Sequence, residues 1–144
     1  MFTLLFVAEV GAVIRQERNQ VFAATAQRVG SALVDFAVER AHLLKRETNE
    51  SFEQYQKRIS IENAETQALY SKQYSVEVAR LRDGFARRGL ETPEMNEFYR
   101  RPGSAIAIRE IGRTLFDMGV ELGSENVSFV VKSWVRRLIR IVRR

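Results

Sequence analysis

The sequence predicts an all-α protein with a long antiparallel helical hairpin, three or four shorter helices, and a basic amphipathic helix at its end. Two observations support this prediction. The chain has only two prolines, Pro93 and Pro102, so no strong helix breaker occurs before residue 93. In addition, no stretch alternates apolar and polar residues between turn residues, as a strand would. The length of 144 residues suits a single domain, residues 1–144, that can bury its own core.

Residues 1–17 are predicted to form a buried, apolar first helix. Their apolar run covers about 13 residues, whereas a helix that spans a membrane needs roughly 20. The segment has no basic leading region and no small-residue cleavage site followed by polar sequence, so a signal peptide is not indicated. An anchor that dips into a membrane is the alternative interpretation.

Residues 20–88 are predicted to form the helical hairpin, and residues 20–46 are its first arm. Apolar side chains recur there at spacings of three and four, which places them on one helix face for packing against another helix. Arg40 occupies the one position of this face that is not apolar. The apolar members of the face are Phe22, Ala26, Val29, Leu33, Phe36 and Leu43.

The second arm, residues 51–88, begins and ends with helix signals. Ser51 and Gln54 match a capping box, and Gly89 follows the arm as a C-terminal cap glycine would. The middle of the arm is polar, which indicates a weakly packed or solvent-facing span, or part of a longer coiled coil. One long continuous helix that pairs between subunits is the alternative to the hairpin. The predicted apolar positions of the arm are Phe52, Tyr55, Ile59, Tyr74, Val78, Leu81 and Phe85.

Residues 92–124 are predicted to hold short helices. Thr92 suits the cap of the first one, because a proline follows at the first helical position. Ser104 suits the cap of a second helix, over residues 105–118. The apolar face of that second helix consists of Ile108, Ile111, Leu115 and Met118.

Gly119–Ser124 is predicted to be a turn that leads into the last helix, residues 125–143, with its serine as the cap. The helices on either side would then resemble a helix-turn-helix, although this turn is longer than the usual three or four residues. The start of the last helix, where base-reading side chains would lie, carries Glu125 and Asn126 and no basic residue. That arrangement favours contact with a nucleic-acid backbone over sequence reading.

The last segment of the chain, residues 125–144, divides into an apolar half and a basic half at about 100° per residue. It holds six of the 23 basic residues and no acidic residue after position 125, which leaves 17 basic and 18 acidic residues in residues 1–126. The apolar half is Val127, Val130, Val131, Trp134, Val135, Leu138, Ile139, Ile141 and Val142. The basic half is Lys132, Arg136, Arg137, Arg140, Arg143 and Arg144.

Three interpretations of this basic helix are open. In the first, its apolar half packs in the core or against another protein, and its basic half is merely solvated, as charged faces usually are. In the second, the basic half binds the phosphates of a nucleic acid, which arginine forks match bidentately. In the third, the apolar half lies in a membrane surface with Trp134 at the headgroup level. A nucleic acid is favoured over a membrane as the anionic partner.

Further arginines precede the last helix. Arg80 and Arg82 could form one basic face with Arg100, Arg101 and the last helix, but their acidic neighbours, Glu77 and Asp83, favour a purely local role. Arg100 and Arg101 follow two aromatic residues, an arrangement that suits stacking and charge on a single-stranded nucleic acid, although charge that complements a helix dipole is an equally open interpretation. The residues predicted to bind a nucleic acid or another anionic surface are Lys132, Arg136, Arg137, Arg140, Arg143, Arg144, Arg100 and Arg101.

The sequence argues against catalysis. It has no cysteine and one histidine, His42, which forms an E-x-x-H pair with Glu39 but has no second pair to complete a metal site. No nucleophile-elbow or phosphate-loop pattern occurs. We therefore expect no enzymatic activity, cofactor, bound metal or small-molecule substrate. We expect a cytoplasmic interaction protein with an anionic partner, which self-associates or binds another protein through residues 20–46.

Overall fold

A computed structural model describes residues 2–91, 95–96 and 99–124, and the side chains of all these residues except 2–14 and 16. All regular secondary structure in this part of the chain is helical, which confirms the all-α prediction. Its four helices are α1 (Phe2–His42), α2 (Phe52–Gln73), α3 (Ser75–Arg87) and α4 (Ala105–Ser124).

The first helix, α1, is continuous over 41 residues. The prediction of a separate first helix over residues 1–17 is therefore wrong. The residues at the predicted boundary, 16–20, are mostly Gln, Glu and Arg, whose straight side chains favour a helix and supply no stop signal. One stretch of the described residues, Glu17–His42, is long and apolar enough to cross a membrane, a property that it shares with core helices of folded domains.

The chain divides into two compact units. The first combines residues 1–27 with residues 117–144, and the second is residues 28–116. In the first unit, the buried apolar side chains among the described residues are Ala23, Ala26 and Leu122. In the second unit, they are Val29, Leu33, Ala37, Tyr70, Val78, Leu81, Phe85, Leu90, Met95, Tyr99, Ala105, Ile108, Ile111 and Leu115. Full burial of each large apolar side chain stabilises the fold by about 1.5–3 kcal/mol.

Contacts between α1 and the second arm confirm the predicted hairpin. The ring centroids of Phe36 and Tyr74 lie 5.3 Å apart. Farther along α1, the Nη2 atom of Arg40 lies 2.9 Å from the Oε2 atom of Glu62. Later residues of α1 thus contact earlier residues of the second arm, which is the order of an antiparallel pair. The alternative of one unbroken helix is wrong, because residues 43–51 are not helical.

Two predicted core positions of the hairpin are exposed. Leu43 has an exposed fraction of 43% and Phe52 one of 61%. Leu43 lies just after the end of α1, and Phe52 is the first residue of α2. Both therefore lie at the connection between the helices, beyond the region where the two helices cover each other.

The polar middle of the second arm, residues 60–75, is mostly exposed or half-buried, in keeping with the predicted weakly packed or solvent-facing span, but two of its residues are buried. Thr66 and Tyr70 are both buried there. The hydroxyl of Thr66 accepts a hydrogen bond from Nε of Arg40 at 2.9 Å and donates to the carbonyl of Glu62 at 2.7 Å. Arg40 also lies 3.6 Å from the carboxylate of Glu65. The one non-apolar position in the core face of α1 is thus filled by a charged group that is bonded within the hairpin.

Residues 43–51 connect α1 to α2, and Arg58 of α2 holds this connection in place. Its guanidinium makes two contacts of 2.9 Å with the carboxylate of Glu50. It also donates to the backbone carbonyls of Leu43 and Lys45. These carbonyls follow the C-terminal end of α1, where backbone oxygens lack partners within the helix.

Two predicted N-terminal helix caps, Ser51 and Ser104, are confirmed. The Ser51 hydroxyl accepts from the N–H of Gln54 at 3.2 Å, and the Gln54 side chain accepts from the N–H of Ser51 at 3.1 Å. The Ser104 hydroxyl accepts from the N–H of Ala107 at 3.2 Å, at the start of α4. Each cap satisfies a backbone donor that the first helical turn leaves unpaired.

The second arm is interrupted once and then ends as predicted. At Tyr74 the backbone angles are φ −125° and ψ −27°, which separates α2 from α3. After α3, Gly89 adopts a φ of +75°. Its N–H donates to the carbonyl of Ala86, and the N–H of Leu90 donates to the carbonyl of Phe85. This pair of bonds defines a Schellman motif, which needs a residue with positive φ.

The predicted turn at Gly119–Ser124 is wrong, because α4 continues to Ser124. Gly119 is a packing residue: a Cβ on it would lie 2.8 Å from the carbonyl oxygen of Ala23 in α1. The hydroxyl of Ser124 donates to the carbonyl of Glu121 within the same helix. The helix-turn-helix interpretation therefore has no turn at these positions. Of the helix predicted to begin at Thr92, residues 95–96 are described and are helical, whereas its predicted start and the last helix lie outside the described residues.

Candidate anion-binding surface

Two of the eight predicted anion-binding residues, Arg100 and Arg101, belong to the described part of the chain. Both are exposed, in the segment of residues 99–103 that leads into α4. We call this segment the arginine loop. The other six predicted residues lie outside the described residues: Lys132, Arg136, Arg137, Arg140, Arg143 and Arg144.

Three hydrogen bonds hold the backbone of the arginine loop on α2. The hydroxyl of Tyr70 donates to the carbonyl of Tyr99 at 2.5 Å. The side-chain amide of Gln67 donates to the carbonyl of Arg100 at 3.3 Å and accepts from the N–H of Gly103 at 3.0 Å. Because the loop is tied at both of its ends, its two exposed arginines start from fixed backbone positions.

The hydroxyl of Tyr70 is a permanent donor in this arrangement. The side chain is 0% exposed. Burial, and to a smaller degree the neighbouring Tyr99, raises the pKa of the Tyr70 hydroxyl well above its ordinary value. The group therefore stays protonated, and its bond to Tyr99 meets the requirement that a buried polar group has a partner.

The side chain of Tyr99 brings two arginines together. The guanidinium carbon of Arg82 lies 3.8 Å from the centroid of the Tyr99 ring, and that of Arg100 lies 5.5 Å from it. Nε of Arg100 also donates to the Tyr99 hydroxyl at 2.7 Å. Attraction between a cation and an aromatic ring contributes about 0.5–1 kcal/mol at exposed sites. The shared ring thus holds two positive groups close together.

Arg82 also pairs with the adjacent acidic residue, as predicted. Its Nη2 atom lies 2.8 Å from the Oδ1 atom of Asp83. This hydrogen bond is the main reason that the pKa of Arg82 is raised above its ordinary value. For Arg80, which is exposed, the corresponding expectation stays a prediction.

Tyr99 leaves little room for a base to stack on its ring. The residue is only 7% exposed, and the guanidinium group of Arg82 lies against the ring. The arginine loop therefore offers an anion the N–H groups of Arg100 and Arg101 and no open aromatic face. Guanidinium N–H groups bind phosphate and carboxylate oxygens, often in pairs.

Sequence reasoning missed two members of this arrangement, Arg82 and Gln67. Arg82 reaches Tyr99 from α3, whereas Tyr99 lies in the loop, and no spacing along the chain relates the two residues. Gln67 lies in the polar middle of α2, where Tyr70 also escaped prediction. A signal was present for Tyr70, since it continues the spacing of four that starts at Glu62 and Thr66 on one helix face.

The E-x-x-H pair lies at the end of α1, and both Glu39 and His42 are exposed. Among the residues whose positions are described, no group of three or more His, Cys, Asp or Glu side chains is placed to hold a metal ion. The pair therefore gives no evidence for a metal centre in this part of the chain.

The chain was also compared with known proteins. No protein-family model, curated protein or solved structure matches it.

Proposed function

We propose that this is a non-enzymatic interaction protein whose basic C-terminal segment contacts the phosphate backbone of a nucleic acid with low sequence specificity. The observation that carries the proposal is the distribution of charge. Residues 127–144 hold six basic residues and no acidic one, whereas residues 1–126 hold 17 basic and 18 acidic residues. Such an asymmetry is typical of chains that bind a polyanion through one segment.

The chemistry of the basic residues favours phosphate as the ligand. Five of the six are arginines and one is Lys132. The guanidinium group offers a planar fork of donors that matches two phosphate oxygens, whereas an ammonium group acts as a point charge. Bonds of this kind orient a protein on a nucleic acid without reading its sequence.

The described part of the chain adds support, because Arg100 and Arg101 are exposed on a loop with a fixed backbone. These two residues lie in the unit of residues 28–116, so this support does not depend on the C-terminal segment.

Self-association stays part of the proposal, but it has to use exposed positions of α1 and not the predicted apolar face of residues 20–46. The predicted packing face of residues 20–46 is largely buried within the chain, since Ala26, Val29 and Leu33 are at most 4% exposed. A second copy would have to bind exposed positions of α1, such as Val21 and Val38, which are 70% and 42% exposed. Light scattering coupled to size-exclusion chromatography tests this point, and a strict monomer at high concentration would contradict it.

The test of the proposed function is a salt titration of binding to duplex DNA. Replacement of Arg136, Arg137 and Arg140 with Gln should weaken binding. It should also make the fall of log affinity with log salt less steep, by about 0.9 in slope for each phosphate that the variant no longer binds. A matched control replaces three exposed arginines of the described residues, Arg28, Arg109 and Arg113, so the net charge changes equally.

A membrane surface is the alternative partner, and Trp134 distinguishes it. Binding to anionic vesicles that persists in high salt and shifts the emission of Trp134 to shorter wavelength would favour an interfacial helix. Binding to DNA that falls steeply with salt, with no such shift on vesicles, supports the proposed function. Equal loss of DNA binding in the C-terminal variant and its control would overturn it.

A further inference from the structure

We propose that Arg82, Arg100 and Arg101 form a second phosphate-binding site, on the helical body, that takes the phosphodiester backbone of double-stranded nucleic acid. This inference rests on the proposed function and adds a binding surface that is separate from the C-terminal segment. The three residues come from α3 and from the arginine loop, both in the unit of residues 28–116.

The positive charge of the site exceeds the negative charge of the acidic groups that pair with it. Arg82 pairs with Asp83 at 2.8 Å. The partner of Arg100 is the hydroxyl of Tyr99, which carries no charge. Arg101 is exposed, and within the described residues its side chain has no ion pair or hydrogen bond. Among the described residues, Asp83 is thus the one carboxylate that pairs with any of these three guanidinium groups, and the charge of Arg100 and Arg101 is available to an anion.

The site is also organised before any ligand binds. The Tyr70 and Gln67 bonds fix the loop backbone, and the Tyr99 ring orients the guanidinium groups of Arg82 and Arg100. Binding then requires little further ordering of side chains, and that ordering is a main cost of association. A set of unconnected surface arginines would not have this property.

Two observations select the backbone of a duplex as the ligand. The Tyr99 ring is covered, so it cannot stack on an unpaired base in the way that single-strand binders require. The other apolar side chain of the loop, Pro102, is buried as well. Within residues 99–103 no apolar side chain is thus exposed for interfacial binding, and the exposed Ile106 lies outside the loop, in α4.

The test measures binding of the full chain to a fluorescent DNA duplex of about 20 base pairs, over a range of salt concentrations. The loop variant carries Arg100→Gln and Arg101→Gln. Its control carries Arg109→Gln and Arg113→Gln on exposed positions of α4, which remove the same charge. If the loop variant no longer binds two phosphates, its salt slope should fall by about 1.8 and its affinity at low salt by roughly tenfold or more. The control should retain nearly the wild-type slope.

A charge-conserving variant separates binding from folding. With Lys in place of Arg100 and Arg101, affinity should return to between the wild-type and Gln-variant values, because charge is kept while the planar fork is removed. If the double Gln variant loses its helical circular dichroism, the comparison is made with Arg101→Gln alone. That side chain makes no bond within the described residues, and its removal should lower the slope by about 0.9.

The outcomes for the two sites can be told apart. If the loop variant binds like its α4 control while the C-terminal variant is weakened, the second site is overturned and the proposed function stands. If only the loop variant is weakened, the second site is supported and the C-terminal proposal falls. If the wild-type chain does not bind duplex DNA, or if the loop variant loses binding to anionic vesicles instead, the second site is overturned.

Discussion

Gly30 of α1 and Gly112 of α4 bring the backbones of their helices into direct contact. A Cβ on Gly30 would lie 2.5 Å from the carbonyl oxygen of Gly112, and a Cβ on Gly112 would lie 2.8 Å from the carbonyl oxygen of Gly30. Neither position accepts a side chain unless a helix moves. Glycine costs about 1 kcal/mol relative to alanine inside a helix, and the close packing of the two helices offsets this cost.

Replacement of Gly112 with Ala should therefore destabilise the protein. Besides the Gly30 oxygen, the new Cβ would meet Cβ of Leu33 at 2.9 Å and Cγ2 of Val34 at 3.0 Å. Overpacking of this kind costs about 1–3 kcal/mol, which should exceed the gain of about 1 kcal/mol in helix propensity. Urea unfolding followed by circular dichroism measures the difference.

The matched control is Gly123→Ala, on the same helix. Its Cβ would lie 3.4 Å from Cβ of Ala23 and 3.6 Å from the side-chain nitrogen Nε2 of Gln27, which are ordinary van der Waals contacts. This substitution should leave stability unchanged or raise it by up to about 1 kcal/mol. Equal effects of the two substitutions would contradict the packing explanation for Gly112.

Replacement of Arg40 with Leu should destabilise the hairpin although Leu suits an apolar face. The change leaves the buried hydroxyl of Thr66 and the carboxylate of Glu62 without their guanidinium partner. Loss of a hydrogen-bond partner at a buried group costs about 1–3 kcal/mol. The free energy of unfolding provides the measurement. For comparison, Glu65→Gln should change it by less than about 0.5 kcal/mol, since the Glu65 side chain is largely exposed.

Replacement of Tyr70 with Phe should loosen the arginine loop. The ring stays in the core, but the carbonyl of Tyr99 loses the donor that now lies 2.5 Å away. We expect a loss of stability of about 1–2 kcal/mol and faster cleavage by trypsin after Arg100, followed by mass spectrometry. Tyr55→Phe is the control, because its hydroxyl bonds the carbonyl of Leu44 in a different connection. If the control speeds the same cleavage equally, the loop is not held by Tyr70.

The ion pair of Glu50 and Arg58 should make stability depend on pH in the acid range. The hydrogen bond from Arg58 holds the pKa of the Glu50 carboxyl below its usual value. A lowered pKa in the folded state gives stability that is present above the unfolded-state pKa, about 4.3 for glutamate, and is lost as pH falls through the folded value.

The melting temperature of Glu50→Gln should therefore lie below that of the wild type at neutral pH, and the gap should close below about pH 4.3. Glu53→Gln, at an exposed position in the first turn of α2, supplies the comparison. A gap for Glu50→Gln that is constant between neutral and strongly acid pH would rule out the ion pair as its cause.

The parts of the fold that follow from local rules were predictable. The spacing of Ala26, Val29 and Leu33 identified the core face of α1, and the capping residues Ser51 and Ser104 marked two helix starts. Each of these signals depends on residues within one or two helical turns, so the sequence alone contains the physical cause.

The predictions that were wrong concern residue types that can play two different structural roles. Glycine signals a turn, but Gly119 lies inside α4 because its missing side chain admits the backbone of Ala23. Arginine usually indicates a solvent-exposed position, but Arg40 is hydrogen-bonded inside the hairpin. Likewise, Arg82 belongs to the candidate site because its guanidinium group lies against the Tyr99 ring. Packing between elements that are distant in the sequence determines which role such a residue plays, and the local spacing of residues does not predict that packing.

The contact between Gly30 and Gly112 has a consequence for genetics. A second-site mutation at position 30 cannot suppress Gly112→Ala by making that residue smaller, since no residue is smaller than glycine. The remaining obstacles are the side chains of Leu33 and Val34. The Leu33 contact is made by Cβ, which every residue except glycine carries, whereas the Val34 contact is made by Cγ2, which alanine lacks. Second-site revertants selected for recovered stability should therefore carry a smaller residue at position 34 in preference to position 33, where the side chain is also fully buried.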